Sequence, residues 1–108
     1  MTTSQVPAID IPRDWLEDFC QRWKIRELSL FGSVLRDDFG PESDIDFLVS
    51  FQPVARPEDG WSLWDLFDME AELKAKFGRD VDLVEKEALR NPFRRHNILT
   101  TSRVIFAA

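Results

Sequence analysis

Two short stretches of this chain place carboxylates where apolar residues would be expected: SDIDFLV (43–49) and GRDVDLVE (78–85). Side chains two apart on a strand point to the same face, so Asp44 and Asp46 project together, with Cα atoms about 6.5 Å apart. Two like charges in a half-buried strand repel each other and lose hydration. A hard cation removes that cost, and oxygen ligands select Mg²⁺ or Ca²⁺; Mg²⁺ uses one or two protein carboxylates plus water and substrate phosphates. Asp82 lies between apolar neighbours in the later stretch, and if that strand pairs beside the first, three carboxylates converge. Such an arrangement clamps the attacking and leaving oxygens of a phosphoryl transfer.

Gly32-Ser33 supplies the complementary chemistry. A glycine lets backbone approach an anion closely. The amides of a helical turn and the Ser33 hydroxyl can hold phosphate oxygens, and Arg36 one turn on can add positive charge. One wall thus offers phosphate donors and the other metal ligands, the minimum needed to seat a nucleoside triphosphate. Each residue also has an ordinary reading. Asp44 can cap a turn, Asp46 and Asp82 can be solvent-facing strand residues, and Ser33 can cap the turn that follows it.

The elements that position these residues follow from periodicity. Trp15, Leu16, Phe19, Cys20 and Trp23 recur at helical spacing after Pro12, giving a helix over about 12–23. IRELSLF (25–31) is a strand ended by Gly32, SVLR a brief helical turn, and DFGPES (38–43) a turn. Residues 44–51 form the second strand and 52–60 a loop. Ser62 with Asp65 makes a capping pair for a helix that Gly78 stops. Leu63, Leu66, Phe67, Leu73 and Phe77 are assigned to the core of that helix. Residues 79–85 form a third strand, and Asn91-Pro92 opens a last helix over about 92–106. The order predicts an α/β (α+β) fold, a small mixed sheet flanked by helices, in a single domain spanning 1–108 with 1–9 as a loose tail.

Bulk properties bound the function. With 44% hydrophobic and 31% charged residues the composition is globular. No apolar run is long enough to span a bilayer, the first residues lack a signal peptide's pattern, and the lone Cys20 excludes an internal disulfide and fits a cytoplasmic location. The net charge of −6 disfavours direct nucleic-acid binding. Against that background, RNPFRRHNILTTSR (90–103) carries Arg90, Arg94, Arg95, Arg103 and His96 with no acid. These arginines can form a solvated face, a partner-docking surface or triphosphate contacts, with His96 at the surface. Trp61 and Trp64 follow a loop near the acids, where packing is favoured over contact with a base or partner.

Gly-Ser, ten residues and then Asp-x-Asp, with GRDVDLVE downstream, resembles the signature of the polymerase-beta-type nucleotidyltransferases. The compact length resembles in particular the minimal nucleotidyltransferase (MNT) antitoxins encoded beside HEPN toxins. The resemblance covers about residues 25–106. It implies the nucleotidyltransferase fold, Gly32 and Ser33 as the phosphate-holding pair, Arg36 as a further nucleotide contact, and Asp44, Asp46 and Asp82 as catalytic ligands for two Mg²⁺ ions. It further implies ATP as substrate and AMP transfer to a tyrosine of a HEPN toxin. The family often has glycine after the motif arginine; Asp37 and Asp38 stand here and are expected to face solvent. Two alternatives remain: an antitoxin that only masks its partner, and an enzyme that modifies a small molecule such as an antibiotic.

Overall fold

The computed structural model describes residues 9–36 and 38–108 of the chain. Helix α1 (Arg13–Arg22) is followed by β1 (Ile25–Phe31), a 3₁₀ turn (Gly32–Leu35), β2 (Ile45–Phe51), α2 (Leu63–Phe77), β3 (Val81–Glu85), α3 (Pro92–Thr101) and β4 (Arg103–Ala107). The four strands form one mixed sheet in the order β3-β2-β1-β4. β1 pairs antiparallel with both β2 and β4, whereas β2 and β3 run parallel. A parallel pair needs a crossover, and α2 provides it.

The start of α2 is built as its sequence dictates. Ser62 accepts from the Asp65 amide while the Asp65 carboxylate accepts from the Ser62 amide, a complete capping box. At the other end Gly78 takes a left-handed conformation, φ 68°, and its N–H donates to the Lys74 carbonyl.

Alternation divides the sheet into two faces. Leu28, Leu30, Ile45, Phe47 and Val49 turn to α1 and α2, meeting Leu16, Phe19, Met69 and Leu73. Phe31 and Leu48 turn the other way and pack with Leu89 and with Ile98 of α3. Asp46, two residues before Leu48, shares this second face.

Two expectations are corrected. The last helix ends at Thr101, not near 106: Ser102 adopts extended geometry and residues 103–107 become β4 on the free edge of β1. On α2 the buried stripe runs through Leu66, Met69, Leu73 and Phe77, leaving Leu63 62% and Phe67 50% exposed. Leu63 opens the helix, and Phe67 lies off the 66-69-73-77 stripe, so neither faces the sheet. At the start of the chain, Ile9 packs against the core; the rest of the proposed tail and Asp37 lie outside the described residues.

Candidate active site

The 3₁₀ turn takes over directly from β1. Gly32 opens it at φ 77°, a left-handed conformation that glycine adopts without strain. Ser33 is half-buried, and its carbonyl accepts from the Arg36 amide at 2.9 Å, closing the turn. On the neighbouring strand Asp46 stands opposite Phe31, so the turn and this carboxylate are adjacent. A Cβ built on Gly32 would run into Asp46 Oδ2, so any other residue at position 32 would have to displace that carboxylate.

The third acid arrives through the parallel ladder. Asp46 and Asp82 are register partners of β2 and β3, which puts them on the same face. Asp44 precedes β2 and is exposed, as is Asp82, while Asp46 is half-buried. Burial first, then the charges of Asp82 and Asp44, push the Asp46 carboxyl above its ordinary range, against the opposing pull of Arg36 and Arg94. Asp46 therefore feels both neighbouring carboxylates.

That donor set suits a hard dication. Among the described residues, however, no three acidic, histidine or cysteine side chains stand close enough to hold an ion by themselves. An ion held here would complete its shell with water and substrate oxygens, the habit of Mg²⁺.

Two arginines approach the acids. Arg36 is exposed and pairs with Asp38, Nε to Oδ1 at 3.2 Å, and Asp38 is exposed as expected. Arg94 comes from the first turn of α3, where Asn91 caps the Phe93 and Arg94 amides. Sequence spacing left Arg94 in an undecided group; the fold brings it within electrostatic reach of Asp46. From the same group, Arg95 donates to the Lys86 carbonyl and His96 is exposed. Trp61 packs edge-on against Trp23 and donates to the Trp23 carbonyl at 2.7 Å, so it serves packing, whereas Trp64 is 75% exposed.

An open hollow of about 520 Å³ adjoins Asp44 and is lined by Pro41, Glu42, Lys74 and Arg79 among others. Another, of about 490 Å³, lies at the far end of β2 beside Lys24, Phe51 and Trp61, and none of the three acids lines it.

The chain belongs to the nucleotidyltransferase domain family, whose model matches residues 13–105. Within that family it groups with the small protein adenylyltransferases. It is 35% identical over 71 residues to the protein adenylyltransferase MntA of Thermococcus cleftensis, an alignment covering 66% of each chain. It is 32% identical over 89 residues to a Methanocaldococcus jannaschii protein provisionally named a protein adenylyltransferase, covering 82% of this chain and 85% of that one. The fold is shared with a chain from the complex of tri-AMPylated Shewanella oneidensis HEPN toxin with MNT antitoxin: TM-score 0.61 at 17% identity, covering 89% of this chain and 70% of that one. Among the described residues no helix is long and apolar enough to cross a membrane.

Proposed function

We propose that this chain is the antitoxin of a HEPN/MNT pair and that it inactivates its toxin by moving AMP from ATP onto a hydroxyl of that toxin, a tyrosine, with two Mg²⁺ ions in the cytoplasm. The observation that carries this reading is the parallel register of Asp46 with Asp82, with Asp44 just ahead and the Gly32-Ser33 turn against Asp46. The relatives named protein adenylyltransferases and the complex containing an AMPylated HEPN toxin support the same reading.

In this reading the amides of the Gly32–Leu35 turn and the Ser33 hydroxyl hold triphosphate oxygens, and Arg36 adds a positive charge. Asp44, Asp46 and Asp82 are the residues that would hold Mg²⁺. When bound, the metal offsets the negative charge of the phosphates and of the transition state. Asp82, exposed at the edge of the group, assists in removing the proton of the attacking hydroxyl. The hydroxyl oxygen bonds to the α-phosphorus, the bond from that phosphorus to the bridging oxygen breaks, and pyrophosphate leaves. Exposed acids on an open surface suit an acceptor presented by another folded protein.

The test uses as acceptor the cognate HEPN toxin that this reading requires. With ATP and Mg²⁺ the wild-type chain should add one or more AMP masses to it, and Asp44→Asn should abolish the gain. An authentic partner that gains no mass, yet is neutralised equally by an Asp44→Ala/Asp46→Ala double variant, overturns transfer in favour of masking. Adenylylation of an antibiotic but not of that partner overturns the choice of acceptor.

A further inference from the structure

Asp44 is exposed, and among the described residues no side-chain hydrogen bond fixes it, so its direction depends on the backbone at either side. Each side is held by one of two adjacent residues, Arg79 and Asp80. Arg79 Nη1 donates to the Ser43 carbonyl at 3.0 Å and to the Gly40 carbonyl at 2.8 Å. The Ile45 amide donates to the Asp80 carbonyl at 3.0 Å. Residues 43 and 45 are thus tied to Arg79 and Asp80, three and two positions ahead of Asp82 in the chain.

The turn is also tied to itself. The Ser43 amide donates to the Gly40 carbonyl at 3.1 Å, and the Gly40 amide donates to Ser43 Oγ at 3.0 Å. The Arg79 guanidinium lies over the Phe39 ring with its carbon 4.3 Å from the ring centre, which fixes the plane from which its donors reach the turn. Arg79 is half-buried, and among the described residues no acid forms an ion pair with it. Its charge is spent on backbone carbonyls, as a clamp requires.

We infer that Arg79 is a positioning residue: it locks the 39–43 turn to the entrance of β3 and thereby holds Asp44 in register with Asp46 and Asp82. This deepens the proposed function and rests on it for the role of Asp44. Both bonds leave the single Nη1, so a lysine ammonium could still reach the two carbonyls, but it has no planar group to stack on Phe39 and so would be less firmly placed. Partners that orient a metal ligand are commonly worth about 10- to 100-fold in metal affinity or activity.

The test compares wild type, Arg79→Ala, Arg79→Lys and Asp44→Asn at a temperature where melting curves show all four folded. Mn²⁺ binding is followed by electron paramagnetic resonance with AMP-PNP present, and amide hydrogen exchange is read residue by residue. Arg79→Ala should bind Mn²⁺ about tenfold more weakly, with Arg79→Lys between it and wild type. The Ile45 amide should exchange faster in Arg79→Ala, while the Phe47 amide, deeper in β2, is unchanged. In transfer to the toxin, kcat should fall about tenfold with the ATP KM within about twofold, since the Gly32-Ser33 turn is untouched. Wild-type Mn²⁺ affinity and Ile45 protection in Arg79→Ala overturn the inference, even if its melting temperature falls. A wild type that binds Mn²⁺ but transfers no AMP refutes the proposed function and leaves the Arg79 comparison decisive. A wild type that takes up no Mn²⁺ overturns both.

Discussion

Asp46 Oδ2 occupies the space that a side chain on Gly32 would need: an ideal Cβ there meets that oxygen first and then Asp46 Cγ at 3.3 Å. The glycine therefore answers two demands at once, a φ of 77° and contact with a carboxylate. Gly32→Ala has to move Asp46 and also holds alanine in the left-handed region, which costs about 1–2 kcal/mol. Each kcal/mol lowers the melting temperature of a domain this size by about 4–8 °C. We expect Gly32→Ala to lose that stability in thermal melts and to lose transfer activity beyond it. Gly40→Ala is the control: nothing lies within 4 Å of its added Cβ, so both measurements should stay near wild type.

Asp46 is costly to the metal-free fold. Its folded pKa is raised above the ordinary 3.8 by burial and by Asp82 and Asp44. The native state then holds the proton more tightly than the unfolded chain does. The contribution of this group therefore weakens stability as pH rises from the ordinary carboxylate value through the raised one, and stays constant above. Asp46→Asn removes that dependence. In buffer with a chelator at neutral pH the variant should melt about 2–4 °C higher, the size expected for ~0.5 kcal/mol of relieved repulsion at a half-buried site. It should nonetheless be inactive. A variant that melts lower than wild type without metal would contradict this account.

Much of this was legible because local rules and the fold agree. The Gly32 turn, both inner strands, the Ser62–Asp65 cap and the Gly78 stop are set by residues within a few positions of one another. The pairing of Asp46 with Asp82 was conditional in the sequence, since it required a parallel ladder whose register is fixed only by how α2 packs. Strand β4 was missed because no glycine or proline separates it from α3; Ser102 alone makes the change. The usable signal was the run Thr100, Thr101 and then Val104, Ile105, poor helix formers that pair well at a sheet edge. Arg79 and Arg94 were illegible for a different reason: each acts on residues about 36 to 48 positions away, which spacing does not encode.

The capping box of α2 offers a measurable stability contribution away from the acids. The Ser62 amide donates to Asp65 Oδ2 at 2.8 Å and the Asp65 amide to Ser62 Oγ at 3.3 Å. Ser62→Ala removes the second bond and the one the hydroxyl donates to Asp65 Oδ2, and should cost about 1 kcal/mol, while Ser62→Thr retains most of the stability. Because α2 is the crossover that sets the β2–β3 register, chemical denaturation should show a lower midpoint with an unchanged m-value. An Ser62→Ala midpoint equal to wild type would mean that water replaces the cap at no cost.

Glu72 joins the two helices on the core face of the sheet. Its carboxylate accepts from Arg22 Nη2 at 2.9 Å, from Arg22 Nη1 at 3.3 Å and from Trp23 Nε1 at 2.8 Å. The Arg22 hydrogen bond, with help from Trp23, holds the carboxyl below the usual glutamate value of 4.5 although burial opposes it. A depressed folded pKa contributes stability that is present above the unfolded value and lost as pH falls through the folded one. Glu72→Ala should therefore cost about 1 kcal/mol at neutral pH, a figure reduced for the partial exposure of the pair. Glu72→Gln should cost less, since an amide oxygen still accepts from Trp23. As the pH is taken below the folded pKa, wild type and Glu72→Gln should converge in melting temperature while Glu72→Ala remains lower. Tryptophan fluorescence should shift in Glu72→Ala as the Trp23 indole loses its acceptor. A gap between wild type and Glu72→Gln that persists unchanged into acid would show that the charge on Glu72 contributes nothing to joining α1 to α2.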